Sequence, residues 1–301
     1  DEWWDDRNVL PLLERIDIPV YLGCDWQNVP LHLPGTFSTL AGLGNAPEVR
    51  VGLLGEFGLT WPWESLHVEA LAWFDHWLKD ADTGILDGPP IRYRLPGTDE
   101  WRTATEWPPA GASTVELALR ADGSMAVDEG VPGERSYVCA GPGLDRRSER
   151  PTDPATSLTW DTEPLPTDLD VVGEIELSLD ARTTAIDTAW IVLLIDVAPD
   201  GTAATITQGW LQASLRRVDE ADSSVSVAVL DCRTPEAVPV DDEVHYRIPL
   251  VPNARRFAAG HRIRVLLCSD DRPDDIPAIM GLRHAPVGTT SRNTVLSSSR
   301  L

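Results

Sequence analysis

The hydrophobic pattern of the chain changes near residue 80, and this change limits the folds that the sequence allows. Before that point short apolar runs alternate with helical spacing, whereas after it the two-residue alternation of half-buried strands dominates. The first pattern is typical of a parallel α/β layer and the second of a β-sandwich. We therefore predict an α/β domain over residues 1–82 and an all-β domain over residues 83–301.

The first domain reads as a strand, a helix and a strand, followed by a longer helix. Residues 17–23 and 49–54 are apolar runs of the kind that buried parallel strands show, and residues 34–43 between them have helical spacing. A second helix is predicted over residues 60–79. Its apolar residues recur at helical spacing, at Trp63, Leu66, Ala70, Trp73, Phe74 and Trp77.

The second domain reads as a series of strands. Alternating patterns cover residues 115–119, 175–179 and 244–250, and the turn at 199–201 predicts a hairpin between residues 190–197 and 205–211. Many short strands joined by long polar connections are typical of a jelly roll or another β-sandwich.

The composition excludes several classes of function. A net charge of -23 and a pI of about 4.5 oppose binding to nucleic acid. No apolar run approaches the roughly 20 residues of a membrane helix, so we expect no membrane partner. The four cysteines form no CxxC pair, which favours a reducing, cytoplasmic compartment over a disulfide scaffold. The histidines show no metal-ligand spacing, so we expect neither a metal nor a cofactor.

Two residues are candidates for catalysis. The G-x-S-x-G signature of a serine nucleophile is absent, so a complete catalytic triad inside this chain is not expected. Asp25 follows the first predicted strand, where it could orient a histidine or simply cap the next turn. His67 lies beside the apolar face of the second helix, where it could act as a base or as a hydrogen-bonded core residue.

Three other features have a structural and a functional interpretation. Glu56 and Phe57 follow the second strand as a turn residue and a core aromatic. The tryptophans at 61, 63, 73, 77, 101 and 107 are expected to pack the helix against its neighbours, or to line an acyl or aromatic pocket. The acidic segment 269–275 lacks the pattern of an EF-hand, so we predict a solvated loop rather than a calcium site.

Seven segments, in this order along the chain, resemble the CocE/NonD family, which groups cocaine-esterase-like enzymes with X-Pro dipeptidyl peptidases. They are IPVYLG at 18–23, WFDHWLK at 73–79, DTG at 82–84, LTWDTEPL at 158–165, DLDVVG at 168–173, DVAPDG at 196–201 and RFAAGHRIR at 256–264. The resemblance covers nearly the whole chain. It implies the C-terminal remnant of an α/β-hydrolase domain followed by a jelly-roll β-sandwich.

The resemblance also implies serine hydrolysis of a small-molecule ester or peptide substrate. In the family, the turns after the last two strands hold the acid and the histidine of the triad. Here Gln27 corresponds to the acid and Phe57 to the histidine, so Asp25 and His67 would have to take over from shifted positions. We expect a fragment that lacks the nucleophile half and is inactive alone. The alternative is a non-catalytic β-sandwich module for sugar binding or assembly, and a homo-oligomer stays open.

Overall fold

The computed structural model describes residues 2–29, 31–55, 64–141, 155–224, 227–272, 276 and 283–301. Contacts divide the chain into two compact units. The first unit is residues 1–112 with 254–256, and the second is residues 113–253 with 257–301. By these contacts residues 83–112 belong to the first compact unit. The domain boundary after residue 82 is a prediction from the sequence and remains one.

The first unit is a four-stranded sheet with helices. Its elements are α1 (Glu2–Asp5), a 3-10 helix (Leu10–Arg15), β1 (Val20–Asp25), α2 (Leu33–Gly42), β2 (Val49–Leu54), α3 (Glu64–Lys79), β3 (Ile91–Arg94) and β4 (Trp101–Ala104). The sheet order is β1-β2-β3-β4, in which β1, β2 and β3 are parallel and β4 is antiparallel to β3. The predicted strand, helix and strand are therefore confirmed.

Helix α3 is attached to the sheet through polar and aromatic contacts. The Tyr21 hydroxyl of β1 donates to the Glu69 carboxylate of α3, and Arg92 of β3 donates to the same carboxylate at 2.6 Å. The Trp73 ring lies 5.7 Å from the Tyr21 ring. Gly52 of β2 permits this arrangement, because a Cβ there would lie 2.5 Å from the Tyr21 hydroxyl oxygen. In the described residues no helix combines the length and apolarity of a membrane crossing, and α3 has 16 residues.

A buried arginine holds the connection between α3 and β3. The Arg50 guanidinium on β2 donates to the carbonyl oxygens of Gly88 at 3.0 Å and Pro89 at 3.2 Å. It also donates to the carboxylate of Glu48 at 2.8 Å. One planar group with five donors thus satisfies several carbonyls of a turn that has no regular secondary structure.

The second unit consists of strands. They are β5 (Ala118–Leu119), β6 (Met125–Ala126), β7 (Glu134–Cys139), β8 (Ser157–Asp161), β9 (Leu169–Thr183), β10 (Ala189–Val197), β11 (Ala203–Gln212), β12 (Val244–Phe257), β13 (Arg262–Cys268) and β14 (Ser291–Leu296), with a 3-10 helix (Ala213–Leu215). Eight of them form one sheet in the order β7-β14-β9-β12-β11-β10-β13-β8. The predicted hairpin is the antiparallel pair β10 and β11. The predicted strand at 115–119 is shorter, since the regular strand β5 covers Ala118–Leu119 and pairs with β6.

Strand β10 is buried along its whole length. Trp190, Val192 and Leu194 lie in the large apolar cluster of the unit. The alternate residues Ile191, Leu193 and Ile195 belong to a second apolar cluster on the other face of the strand. Both faces of β10 are therefore covered, which explains its continuous apolar sequence.

Two groups of buried polar side chains in the second unit differ in how they are satisfied. The Asn293 amide donates to the side-chain oxygens of Thr188 at 3.0 Å and Ser269 at 3.1 Å, and it accepts from Thr183 at 2.8 Å. In contrast, the buried Gln208 Nε2 on β11 has no hydrogen-bond partner. A satisfied network stabilises a core, whereas an unpaired buried donor costs about 1–3 kcal/mol.

This contrast gives a first prediction. Asn293→Leu should lower the free energy of unfolding by about 2–4 kcal/mol, because it leaves several buried hydroxyls unpaired. Gln208→Met should leave it unchanged or raise it by about 1 kcal/mol, because it removes an unpaired buried amide of similar shape. Urea titration followed by circular dichroism measures both. Equal destabilisation by the two substitutions would contradict the hydrogen-bond assignment.

A second prediction concerns Arg50. Arg50→Lys should lower the free energy of unfolding by about 2–4 kcal/mol, because one ammonium group cannot reach the carbonyls that the guanidinium binds. Arg15→Lys is the matched control, since Arg15 is exposed. Thermal unfolding measures the difference, and an equal effect of both substitutions would rule out the role given to Arg50.

Candidate active site

Asp25 is the last residue of β1 and lies at the carboxyl end of the parallel strands. It pairs in register with Leu54, the last residue of β2. The residue is only 2% exposed, and its Oδ1 accepts a hydrogen bond from the Gln27 backbone N–H at 2.7 Å. This contact is the turn-capping interaction that the sequence analysis weighed against a catalytic one. It also holds the carboxylate in one orientation at the edge where open α/β sheets bind ligands.

His67 lies near the start of α3 and is exposed. The structure therefore does not place it in the core, which was the structural interpretation of this residue. Helix α3 follows β2 and precedes β3, and because these strands are parallel it runs back against their direction. Its first turns consequently lie toward the carboxyl ends of the strands, the end that also carries Asp25. Whether the two side chains act together stays a prediction.

Aromatic rings line the region that follows Asp25. Trp26 and Phe37 are stacked with ring centroids 6.3 Å apart, and Trp107 lies 5.7 Å from Trp26 and 5.2 Å from Phe37. Tyr93 completes the group, 5.7 Å from Trp107. The Trp26 indole N–H donates to the Arg94 carbonyl at 2.8 Å. Trp107 was among the tryptophans predicted to pack or to line a pocket, whereas Trp26, Phe37 and Tyr93 were not, because the fold brings them together from different elements.

Cys24 precedes Asp25 and is a poor candidate for the missing nucleophile. Its thiol is buried, and burial raises its pKa, which disfavours the reactive thiolate. Glu56, Phe57, Trp61 and Trp63 lie outside the described residues. The structure therefore does not test their predicted roles.

The acidic segment that begins at Ser269 corrects one expectation. Asp270 and Asp271 are buried and not solvated. Asp270 accepts two hydrogen bonds from the Arg272 guanidinium at 2.9 Å, and Asp271 pairs with the Nδ1 of His284 at 2.9 Å. Hydrogen bonds with Arg272 and His284 are the reason that these carboxylates tolerate burial. Residues 273–275 lie outside the described part.

Histidine–aspartate pairs recur in the second unit, and sequence spacing did not reveal them. His261 pairs with Asp196 at 2.7 Å, and His245 pairs with Asp180 at 2.8 Å. Their partners are 65 residues away in each case, so no local motif signals them. Across the described ranges no group of three or more His, Cys, Asp or Glu side chains could hold a metal ion.

Comparison with known proteins identifies the lineage. Residues 83–285 match the family described as the X-Pro dipeptidyl-peptidase C-terminal non-catalytic domain. A Mycobacterium bovis protein named as a serine esterase is 32% identical, over 67% of this chain and 36% of that protein. The cocaine esterase of a Rhodococcus strain is 23% identical, over 91% of this chain and 52% of that protein. The chain thus spans about a third to a half of the length of these relatives.

The fold points the same way. A CocE/NonD family hydrolase from Staphylococcus aureus superimposes with a TM-score of 0.81 and 19% identity, covering 98% of this chain and 55% of the other. At that identity the superposition shows a shared fold, and the domain match adds the relationship in sequence. On these grounds the chain belongs to the CocE/NonD family of hydrolases and carries the X-Pro dipeptidyl-peptidase C-terminal non-catalytic domain.

Proposed function

We propose that this chain is the C-terminal part of a serine hydrolase that cleaves esters or amides, with bonds of the X-Pro dipeptidyl-peptidase type as one substrate class. In this proposal residues 1–82 complete an α/β-hydrolase domain, and residues 83–301 form a jelly-roll β-sandwich. The 32% identity, over 67% of this chain, to the Mycobacterium bovis protein named as a serine esterase carries the proposal. The parallel strands with Asp25 at their carboxyl end support it.

The proposed reaction needs a serine that these 301 residues do not supply in a G-x-S-x-G turn. A histidine would take the serine proton, the serine oxygen would form an acyl-enzyme, and water would release the acyl group. Backbone N–H groups would stabilise the oxyanion. We assign the orienting acid to Asp25 and the base to His67, because both lie toward the same end of the sheet.

The chain alone should have no activity, because its sequence has no G-x-S-x-G nucleophile, and in the extended protein Asp25 and His67 would have to replace two altered turn positions. Gln27 stands where the family resemblance expects the acid, and a neutral amide cannot stabilise an imidazolium as a carboxylate does. Phe57 stands where it expects the histidine, and phenylalanine transfers no proton. We also place the protein in the cytoplasm, a proposal that the four free cysteines support.

The second candidate is a non-catalytic β-sandwich module for binding or assembly. The description of the matched domain as non-catalytic favours it. In this case the first unit would be a relic of a hydrolase, retained for its fold. The two candidates differ in whether a reactive serine ever operates beside Asp25.

Labelling with a fluorophosphonate probe tests the proposal. We expect the 301-residue chain to remain unlabelled, and the same chain extended by its upstream coding sequence to be labelled at one serine. Labelling of a serine within the 301 residues would contradict the assignment of the nucleophile elsewhere. An extended protein that resists labelling and hydrolyses no nitrophenyl ester would support the binding module instead.

The role of Asp25 gives a further prediction. In the extended protein Asp25→Asn should lower ester hydrolysis by about 10³–10⁴-fold, because an amide no longer stabilises the histidine cation. Asp6→Asn is the matched control, since Asp6 is exposed. Turnover of a nitrophenyl ester measures both, and circular dichroism checks that the variants are folded. Unchanged turnover in Asp25→Asn would remove Asp25 from the mechanism.

A further inference from the structure

Arg94 lies at the carboxyl edge of the parallel strands, as Asp25 does. It is the last residue of β3, which runs parallel to β2 with Leu53 in register with Tyr93. Asp25 is the last residue of β1 and pairs with Leu54 at the end of β2. Neighbouring strands are about 4.8 Å apart, so the backbones of Asp25 and Arg94, two strands apart, are about 10 Å from each other.

The side chains of Asp25 and Arg94 project from the same face of the sheet. Tyr21 of β1 and Arg92 of β3 both contact Glu69 of α3, so these two residues face the helix. Side chains alternate along a strand. Asp25 follows Tyr21 by four residues and therefore faces the helix as well. Arg94 follows Arg92 by two residues and does the same.

The stem of Arg94 runs past a glycine at the end of the middle strand. A Cβ built on Gly55, which follows β2, would lie 3.6 Å from the Cβ and Cγ of Arg94 and 3.7 Å from its Nε. Arg94 is thus in contact with the residue next to the register partner of Asp25. Because Gly55 has no side chain, it adds none between the Arg94 guanidinium and the end of β1.

The guanidinium of Arg94 is paired with an exposed carboxylate. Its Nη1 donates to the carbonyl oxygen of Asp99 at 2.5 Å, and its Nη2 donates to the Oδ1 of Asp99 at 3.1 Å. The Asp99 side chain is fully exposed, and exposed ion pairs contribute little. A carboxylate that makes a two-point contact with the guanidinium can therefore replace the side chain of Asp99.

The charge around Arg94 favours an anion, although the chain as a whole has a net charge of -23. Residues 91–104 and 254–256 belong to the same compact unit. Together they contain five arginines and two carboxylates, which are Arg92, Arg94, Arg102, Arg255 and Arg256, and Asp99 and Glu100. Even after Glu69 of α3 is counted against Arg92, these segments keep an excess of positive charge. Local charge acts on a bound group more strongly than distant, screened charge does.

We propose that Arg94 binds a carboxylate on the substrate and thereby selects esters or amides whose acyl part ends in a carboxylate. This inference rests on the proposed function, because it takes the scissile bond to lie near Asp25. The guanidinium donates two parallel hydrogen bonds to the substrate carboxylate, while the scissile carbonyl lies toward Asp25. Arg94 takes no part in bond breaking, and it determines which substrates bind.

Two para-nitrophenyl esters of equal chain length test this selection in the extended protein. The monoester of adipic acid ends in a carboxylate, and the hexanoate ends in a methyl group at the same position. Arg94→Gln should lower the ratio of kcat/KM for the adipate to that for the hexanoate by about tenfold or more, mainly through KM, because charge-assisted hydrogen bonds are lost. Arg94→Lys should recover part of the ratio, since it keeps the charge. The ratio cancels a general loss of activity, and circular dichroism checks that each variant is folded.

Two further substitutions separate direct contact from a general effect of charge. Arg102→Gln removes the same charge from β4 and should leave the ratio unchanged, because Arg102 pairs with Tyr93 and faces the other side of the sheet. Asp99→Asn should raise the ratio about two- to fivefold, because it removes the carboxylate that competes for Arg94.

Three outcomes would overturn the inference. An unchanged ratio in Arg94→Gln, or an equal fall in Arg102→Gln, would remove Arg94 from substrate selection and leave the proposed function intact. An extended protein that hydrolyses neither ester would overturn the proposed function and this inference with it.

Discussion

The second unit depends on the burial of β10 on both of its faces. Side chains alternate across a strand, so a strand without a polar face must be covered twice. Trp190, Val192 and Leu194 contribute to one apolar cluster, and Ile191 and Leu193 contribute to the other. Its neighbours β11 and β13 hydrogen-bond to its two edges, so β10 is an interior strand of the sheet.

The spacing of apolar residues predicted the strands and helices whose formation depends on residues close together in the chain. Residues 49–54 form a strand over the predicted range, and residues 34–43 form a helix shifted by one position. The hairpin around the turn at 199–201 could also be predicted from the sequence, because its turn and both strands are contiguous in the chain. The bounds of the short strand at Ala118–Leu119 could not be predicted. They depend on pairing with another strand and not on the alternation of apolar and polar residues within the segment.

Features decided by distant partners could not be predicted. Asp270 and Asp271 were predicted to be solvated, but both are buried, and Asp271 pairs with His284, which lies 13 residues further along the chain. The same holds for the aromatic group near Asp25, whose rings come from four separate segments. Asp25 could be predicted as a candidate site residue, because the carboxyl ends of parallel strands concentrate functional residues. The role of Asp25 could not be predicted, since the same carboxylate that could orient a histidine also caps its own turn.

Glu69 has a consequence for how α3 can respond to its surroundings. A helix with apolar residues on two sides could bury either side by turning about its axis. Turning α3 by one residue, about 100°, would break the hydrogen bonds that Glu69 accepts from Tyr21 and Arg92. Its carboxylate would then lie unpaired, which is costly in an apolar layer. The hydrogen bonds from Tyr21 and Arg92 therefore fix the rotation of α3 about its own axis. The helix therefore keeps exposed apolar residues, among them Leu71 and Leu78, directed away from the sheet.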